Sequence, residues 1–398
     1  MRKKRPDGSI RERSEGCFQI RYTLGIDPLT GKRKRVEVTH QGTYESAKVT
    51  MRKLLKSIDD NDHVEPTKIK VSEFLQQWLE SVRSQVSLKT HERYSDTVRR
   101  FLIPALGNCL LSKLAPSAIQ NAYNYWETSG RKDIKKGGLA PRTRINIHRI
   151  LKSALKHAVQ LQLITSNAAD AVKPPRAKKT AITTLTVEQS AALLDALRDT
   201  RLYVPVLLAL TTGMRRGEIL ALRWKNVDFN RTTVRVVESL EHTRQGLRFK
   251  APKTEKTRAV ILPDYAVEEL RKWKEKQAEE LILQRVVQTE DSLVCGRRDG
   301  QPLNPTTITH EFIIAINKLS ALPRVRFHDL RHSHATQLLM AGIHPKIAQE
   351  RLGHSTITTT LDLYSHVTDT MQNDAAAKLD TAFRGAIKAR TDQGPKLG

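Results

Sequence analysis

Residues 211–224, TTGMRRGEILALRW, set two arginines in the break between two apolar runs. The run before them, VPVLLALTTG (204–213), is interrupted at Gly213, and Ile219, Leu220 and Leu222 open a second apolar face. The spacing predicts two buried helices with Arg215 at the turn between them. A guanidinium so placed needs a partner. Two fit: a carboxylate such as Glu218, or a phosphate, whose oxygens match the guanidinium fork.

Charge weighs on that choice. The chain has 398 residues, too many for one compact core, so two or three domains are expected. Its 68 Lys and Arg outnumber 42 Asp and Glu, a net charge of +26 that exceeds what solubility needs and points to an acidic polymer, nucleic acid first. The excess is concentrated: residues 67–179 hold 21 basic and 7 acidic side chains without a low-complexity run, as a folded basic domain would. Cys17, Cys109 and Cys295 are scattered and have no CxxC spacing, which argues against a disulfide framework or zinc site and fits a reducing interior. The basic start MRKKRPDGSIRERSEG has no apolar segment behind it, and no run of eighteen apolar residues occurs. Secretion and membrane spanning are therefore not expected.

Outward from the arginine pair, the pattern divides the chain in three. In residues 1–65, GCFQIRYTLGID and VEVTHQGTY alternate around a turn marked by Pro28, Thr30 and Gly31, and a helical stretch follows. This predicts a small sheet backed by one helix, with Arg21, Lys32, Arg33, Lys34 and Arg35 as candidate DNA contacts; a charged edge that blocks aggregation is the alternative. Residues 66–175 carry helical spacing at Val71, Leu75, Trp78, Leu79 and Val82, then at Tyr94, Val98, Phe101 and Leu102. A third face, Ile147, Leu151, Ala154, Leu155 and Ala158, would leave Arg144, Lys152 and Lys156 outside it, with Arg144 and Lys152 as further DNA contacts. The stiff, positive VKPPRAKKT closes this all-α domain. Residues 176–398 read as a mostly helical α+β domain with one small antiparallel sheet, built from RTTVRVVES and TRAVILP, and a tail helix. The fold class expected is thus multidomain: a small α+β module, an all-α domain and a mostly helical α+β domain.

Three further stretches of the last domain could join Arg215. In FKAPKTEKTRAVILP, Lys253 to Lys256 would form the tip or flank of a β-hairpin; Lys253 could donate a proton to a leaving alkoxide if that segment folds over a reaction centre, with Lys250 and Lys256 close by. In RVRFHDLRHSHATQLLMAG, His328 and Arg331 are three apart and share a helix face if the helix already includes His328, whereas His332 and His334 are assigned to surface or core. Pro345 starts a short helix that Gly353 closes; His354 follows, and Tyr364 lies ten residues on. A helix-turn-helix around Gly342 is a rival reading that leaves Tyr364 unexplained. Two arginines, a lysine, two histidines and a tyrosine, without an acidic cluster for Mg²⁺, suit phosphoryl transfer without metal or cofactor. Arg215 and Arg331 would clamp nonbridging oxygens, His354 would donate to the same phosphate, His328 would act as base, and Tyr364 would attack phosphorus.

In TGMRRGE, PKT before a strand, HDLRHSHAT, LGHS and LDLYSHV, in that order over about 150 residues, the chain resembles the tyrosine recombinases, or phage integrase family. The resemblance implies a catalytic pocket of Arg215, Lys253, His328, Arg331 and His354 with Tyr364 as nucleophile. It also implies a core-binding helical domain, an arm-binding sheet module of the temperate-phage or conjugative-transposon kind, and a homotetramer on double-stranded DNA bound at core and arm sites. An accessory DNA-bending or excision factor and a bacterial cytoplasmic location on DNA go with it. Met371, Ala375, Leu379, Phe383 and Ile387 recur every four residues, an amphipathic tail that packs on its own domain or docks on a neighbouring protomer. A noncatalytic architectural DNA-binding protein and a type IB topoisomerase-like enzyme are the competing expectations.

Overall fold

The computed structural model describes residues 8–26, 31–59, 68–131, 137–177, 182–251, 257–354, 356–358, 361, 376–377 and 379–388. Lys253 and Tyr364 lie outside the described residues, as do Pro28, Thr30, Met371 and Ala375. The chain forms two compact units, residues 1–178 and 179–398.

The first unit begins with an antiparallel sheet, β1 (Gly8–Ser14), β2 (Cys17–Ile26) and β3 (Arg33–Gln41), followed by α1 (Tyr44–Asp59). Period-two alternation sorts its side chains. Ile10, Ile20 and Val38 stand in register on one face and pack with Phe18, Tyr22, Met51 and Leu54. The other face carries Arg11, Gln19 and Thr39 in one row and Ser9, Arg21 and Glu37 in the next, with Thr23 opposite Arg35. Arg21 donates to Glu37 at 2.6 Å, Gln19 also meets Glu37, and Arg13 donates to Gln19 at 2.7 Å. Lys32 precedes β3, and Lys32 to Arg35 are all exposed.

A helical bundle follows: α2 (Val71–Val82), α3 (Leu88–Thr97), α4 (Ile103–Leu106), α5 (Pro116–Thr128) and α6 (Pro141–Gln160). Ser87 caps α3 by accepting from the Thr90 N–H, and proline opens α5 and α6 where no N–H donor is needed. Val98–Leu102 winds as a π-helix, just before Pro104, which has no N–H to offer the Arg100 carbonyl. The apolar residues named from spacing in α2 and α6 are buried in one core with Trp78 and Trp126. Arg144 departs from its expectation. It is 6% exposed rather than outside the bundle, and its Nη2 donates to Glu127 at 2.9 Å. Position 144 shares a helix face with Ile147 and Leu151, so its guanidinium reaches outward only as far as a carboxylate on α5. Lys152 stays exposed and pairs with Asp170 at 2.6 Å.

The second unit is built around α8. Its elements are α7 (Val187–Leu197), α8 (Tyr203–Thr212), α9 (Arg216–Ala221), β4 (Val227–Asp228), β5 (Thr233–Val236), β6 (Ser239–Thr243), β7 (Gly246–Lys250), β8 (Arg258–Ile261), α10 (Asp264–Leu283), α11 (Pro305–Lys318), α12 (Asp329–Met340) and α13 (Pro345–Leu352). Thr186 and Gln189 make a capping box that starts α7. Nine of the ten α8 residues are buried, and truncating Leu207 or Leu208 to Ala would cost about 2–5 kcal/mol. Where one sheet was expected there are two: β4, β5 and β8 pair antiparallel, and β6 and β7 form a separate hairpin. In sequence the Lys253 segment falls between β7 and β8, and its expected place at the tip or flank of a hairpin lies outside the described residues. Of the two helices either side of Gly342, α12 is a core element that buries Asp329, Leu330, Arg331, Ser333, His334, Ala335, Thr336 and Leu339, whereas α13 buries Ala348 and Leu352.

Candidate active site

Two helix C-termini meet at the site. The last carbonyls of a helix have no partner within it, and the helix dipole places about half a negative charge there. At the end of α8, Gly213 turns the chain with φ +65°; a Cβ at this position would come within 2.5 Å of Leu352 Cδ2 and 2.7 Å of His334 Cδ2. Only glycine combines that backbone with that approach. The α8 carbonyls are then claimed in turn: Leu210 by His334 Nδ1 at 2.7 Å, Thr211 by Arg351 Nη2 at 2.8 Å and Gly213 by Arg331 Nη1 at 2.6 Å.

The end of α13, closed by Gly353 at φ +67°, is claimed the same way. Three successive carbonyls accept from three different arginines: Arg351 from Arg258 Nε at 3.2 Å, Leu352 from Arg331 Nη2 at 2.7 Å, and Gly353 from Arg215 Nη2 at 3.0 Å. One carboxylate lies among them. Glu218, 2% exposed, accepts from the Arg215 N–H and Nη1 at 2.9 Å each, and from Arg258 Nη2 and Nη1 at 2.6 and 3.2 Å. Burial pushes its carboxyl up, but Arg258 and Arg215 outweigh burial and hold it below its usual range.

Three guanidiniums face one carboxylate and two helix ends of about half a charge each, an excess of roughly one positive charge. Arg331 registers it: burial and Arg215 bring its pKa down to about 9, still protonated at neutral pH. A cationic excess of this kind suits an anionic group.

The histidines divide by environment. His334 is buried and its Nδ1 must donate, since the Leu210 oxygen can only accept; its Nε2 is then free to accept from Arg351 Nε at 3.1 Å. It is a neutral strut, its pKa lowered to about 4 by burial and Arg351. His354 follows Gly353 and is half-buried, and burial, Arg331 and Arg215 lower it to about 4. His328 occupies the N-cap position of α12 with helical dihedrals, as its pairing with Arg331 required. Partial desolvation lowers its pKa, and His332, Arg331 and Arg215 act in the same direction. His332 was set apart from that face, yet its ring lies edge-on to His328, 5.1 Å between centroids. Residues four apart stack on one helix side, a spacing as favourable as three.

The structure thus brings Arg215, Arg331 and His354 together, with His328 one helix turn from Arg331. Of the three candidate lysines, Lys250 pairs with Glu241, and Lys253 and Lys256 lie outside the described residues. Arg258 was missed, because TRAVILP registered only as a strand. Its signal was present: Arg258 alternates with buried Val260, so it faces inward. Among the described residues no group of three or more His, Cys, Asp or Glu side chains could hold a metal ion, and no helix is long and apolar enough to cross a membrane.

A helical unit with small sheets thus gathers three guanidiniums at two helix ends. Residues 183–371 match the phage integrase family, and residues 70–127 match the phage integrase N-terminal SAM-like domain. The chain is 33% identical to the tyrosine recombinase XerC of Mycobacterium sp. (strain KMS) over 233 residues, 55% of this chain and 69% of that one. It is 25% identical to the ICEBs1 integrase of Bacillus subtilis (strain 168), across 94% of this chain and 99% of the relative. Its fold is similar to the Tn1549 transposon integrase (residues 82–397) in complex with transposon right end DNA, with TM-score 0.63, 22% identity, and coverage of 77% of this chain and 99% of that chain. A lambda integrase tetramer bound to a Holliday junction gives TM-score 0.55 at 19% identity, covering 88% and 96%. The chain belongs to the phage integrase family of tyrosine recombinases.

Proposed function

We propose that the chain cuts and rejoins DNA at specific sites to integrate or excise a mobile element, through a 3′-phosphotyrosyl intermediate. The observation that carries this reading is the cationic excess of Arg215, Arg258 and Arg331 around Glu218 at the end of α13. Arg215 and Arg331 balance charge on the nonbridging oxygens as the five-coordinate phosphorus forms. His354, neutral at pH 7, donates one N–H to the same phosphate, and neutral His328 accepts the Tyr364 proton. Tyr364 Oη bonds to phosphorus, the 5′-oxygen leaves, and Lys253 supplies its proton. The roles of Tyr364 and Lys253 rest on the sequence resemblance. Attack by a 5′-hydroxyl on the phosphotyrosine reverses the step and conserves the bond.

The wider assembly follows the same reading. The open sheet face of Arg11, Arg21 and Arg35 suits an arm site, the helical bundle a core site, and tethering the two raises effective concentration at the second. Leu379, Phe383 and Ile387 on the helical stretch 379–388 are 59%, 65% and 62% exposed, as a tail that docks on a neighbouring protomer of a tetramer requires. Work on DNA in a bacterial cytoplasm, aided by a DNA-bending or excision factor, completes the proposal.

The test is a nicked suicide duplex carrying the crossover sequence. Wild-type protein should accumulate a covalent adduct and Tyr364→Phe none; no adduct from wild type would leave only an architectural DNA-binding role, and equal amounts from both would overturn Tyr364 as the nucleophile. Relaxation of supercoiled plasmid lacking the site would favour a topoisomerase-like enzyme.

A further inference from the structure

Arg258 lies deeper than Arg215, its side chain 11% exposed where that of Arg215 is 30% exposed. Three of its N–H groups bridge separate elements. Nη1 and Nη2 grip both oxygens of Glu218 on α9, and Nε donates to the Arg351 carbonyl at the end of α13. The residue itself opens β8, the strand entered from the segment that carries Lys253. Its guanidinium lies flat against Gly353, where an added Cβ would come within 3.2 Å of Arg258 Cδ, Cζ and Nε. Glu218 has two contacts on each oxygen, which fills the carboxylate's acceptor capacity and leaves it one orientation. Arg215, held by the same carboxylate, inherits that orientation.

Stability alone does not call for this arrangement. A third buried cation beside Arg215 and Arg331 adds repulsion, and a well-packed apolar side chain commonly does as well as a buried ion pair. Lysine would keep the charge but lose the fork that grips two oxygens and a carbonyl at once.

We infer that Arg258 is a positioning residue for strand cleavage, locking Arg215, the α13 terminus before His354 and the base of β8 into one arrangement around the scissile phosphate. The inference rests on the strand-exchange reading above. Arg258 acts through Arg215, so its effect belongs to the charged phosphate rather than to DNA affinity.

The experiment is single-turnover adduct formation on the nicked suicide duplex, with protein saturating. Two substrates are compared: the native phosphodiester, and a methylphosphonate in which one nonbridging oxygen of the scissile linkage is a neutral methyl group. Arg258→Lys should slow cleavage of the phosphodiester roughly 10- to 100-fold, the scale of a small misplacement of a catalytic group, with DNA affinity within about threefold of wild type. On the methylphosphonate, where less charge must be balanced, the penalty should shrink. Arg258→Gln is measured alongside, with melting curves, so that the result does not hang on one variant folding. Wild-type rates for both variants, or an equal penalty on both substrates, would reduce Arg258 to a structural ion pair. If wild type itself forms no adduct, the strand-exchange reading falls and takes this inference with it.

Discussion

Arg215 and Glu218, three residues apart at the start of α9, are joined twice: the Arg215 N–H meets Oε2 at 2.9 Å and Nη1 meets Oε1 at 2.9 Å. The sequence left a choice between carboxylate and phosphate as the partner of Arg215. The geometry gives one edge of the guanidinium to the carboxylate and leaves the side chain 30% exposed, as the proposed phosphate contact requires.

Glu218→Gln keeps the shape and removes the carboxylate that, among the described residues, bonds both Arg215 and Arg258. Breaking a buried pair from one side should cost about 3–5 kcal/mol, read as a lower urea midpoint at pH 7. The pH sign follows from the lowered pKa of Glu218: its contribution is complete above the ordinary carboxylate range and is lost as pH falls through its own lower value. The variant should lack that part of the acid dependence; a midpoint equal to wild type would contradict the pairing.

His334 makes stability depend on mildly acidic pH. Its folded pKa of about 4 lies below the unfolded value of 6.5, so the unfolded chain binds the proton more readily. Its contribution is complete above pH 6.5 and declines between 6.5 and about 4, by roughly 3 kcal/mol in total. His334→Gln, which can donate to Leu210 and accept from Arg351, should flatten the difference between unfolding at pH 7.5 and pH 5. An unchanged pH slope would assign the effect elsewhere.

Gly213→Ala should lose about 2–4 kcal/mol, combining a left-handed backbone with overpacking against Leu352 and His334. The Gly213 carbonyl also anchors Arg331, so adduct formation should fall with melting temperature. A melting temperature within a degree of wild type would mean the turn relaxes freely.

DNA binding should distinguish the two sets of arginines. Arg144→Ala should destabilise the helical unit by about 1–3 kcal/mol and leave the salt dependence of binding unchanged, because its partner is Glu127. Arg11→Ala or Arg35→Ala, on the open sheet face, should lower the slope of log K against log salt by about one each on arm-site DNA. The reverse pattern would move the arm contact to the bundle.

The apolar periodicities of α2, α6 and α8 were legible because burial follows from local spacing whatever packs against it. The β5 and β8 pairing was legible from alternation, and the turn at Gly213 from the break in an apolar run. Spacing did not show where a long side chain ends: Arg144 and Arg258 both alternate with buried neighbours and carry guanidiniums to carboxylates from other elements. Nor did it show that β7 and β8 belong to different sheets, since strand partners are set by packing.

By itself the sequence determined the helices and turns that carry Arg215, His328, Arg331 and His354, because capping, glycine turns and periodicity act over a few positions. The tertiary structure decided that the ends of α8 and α13 meet, that three arginines share one carboxylate, and that Arg258 stands behind Arg215. Those outcomes depend on contacts such as Arg258 to Glu218 and Arg215 to Gly353, 40 and 138 positions apart, which only folding brings together.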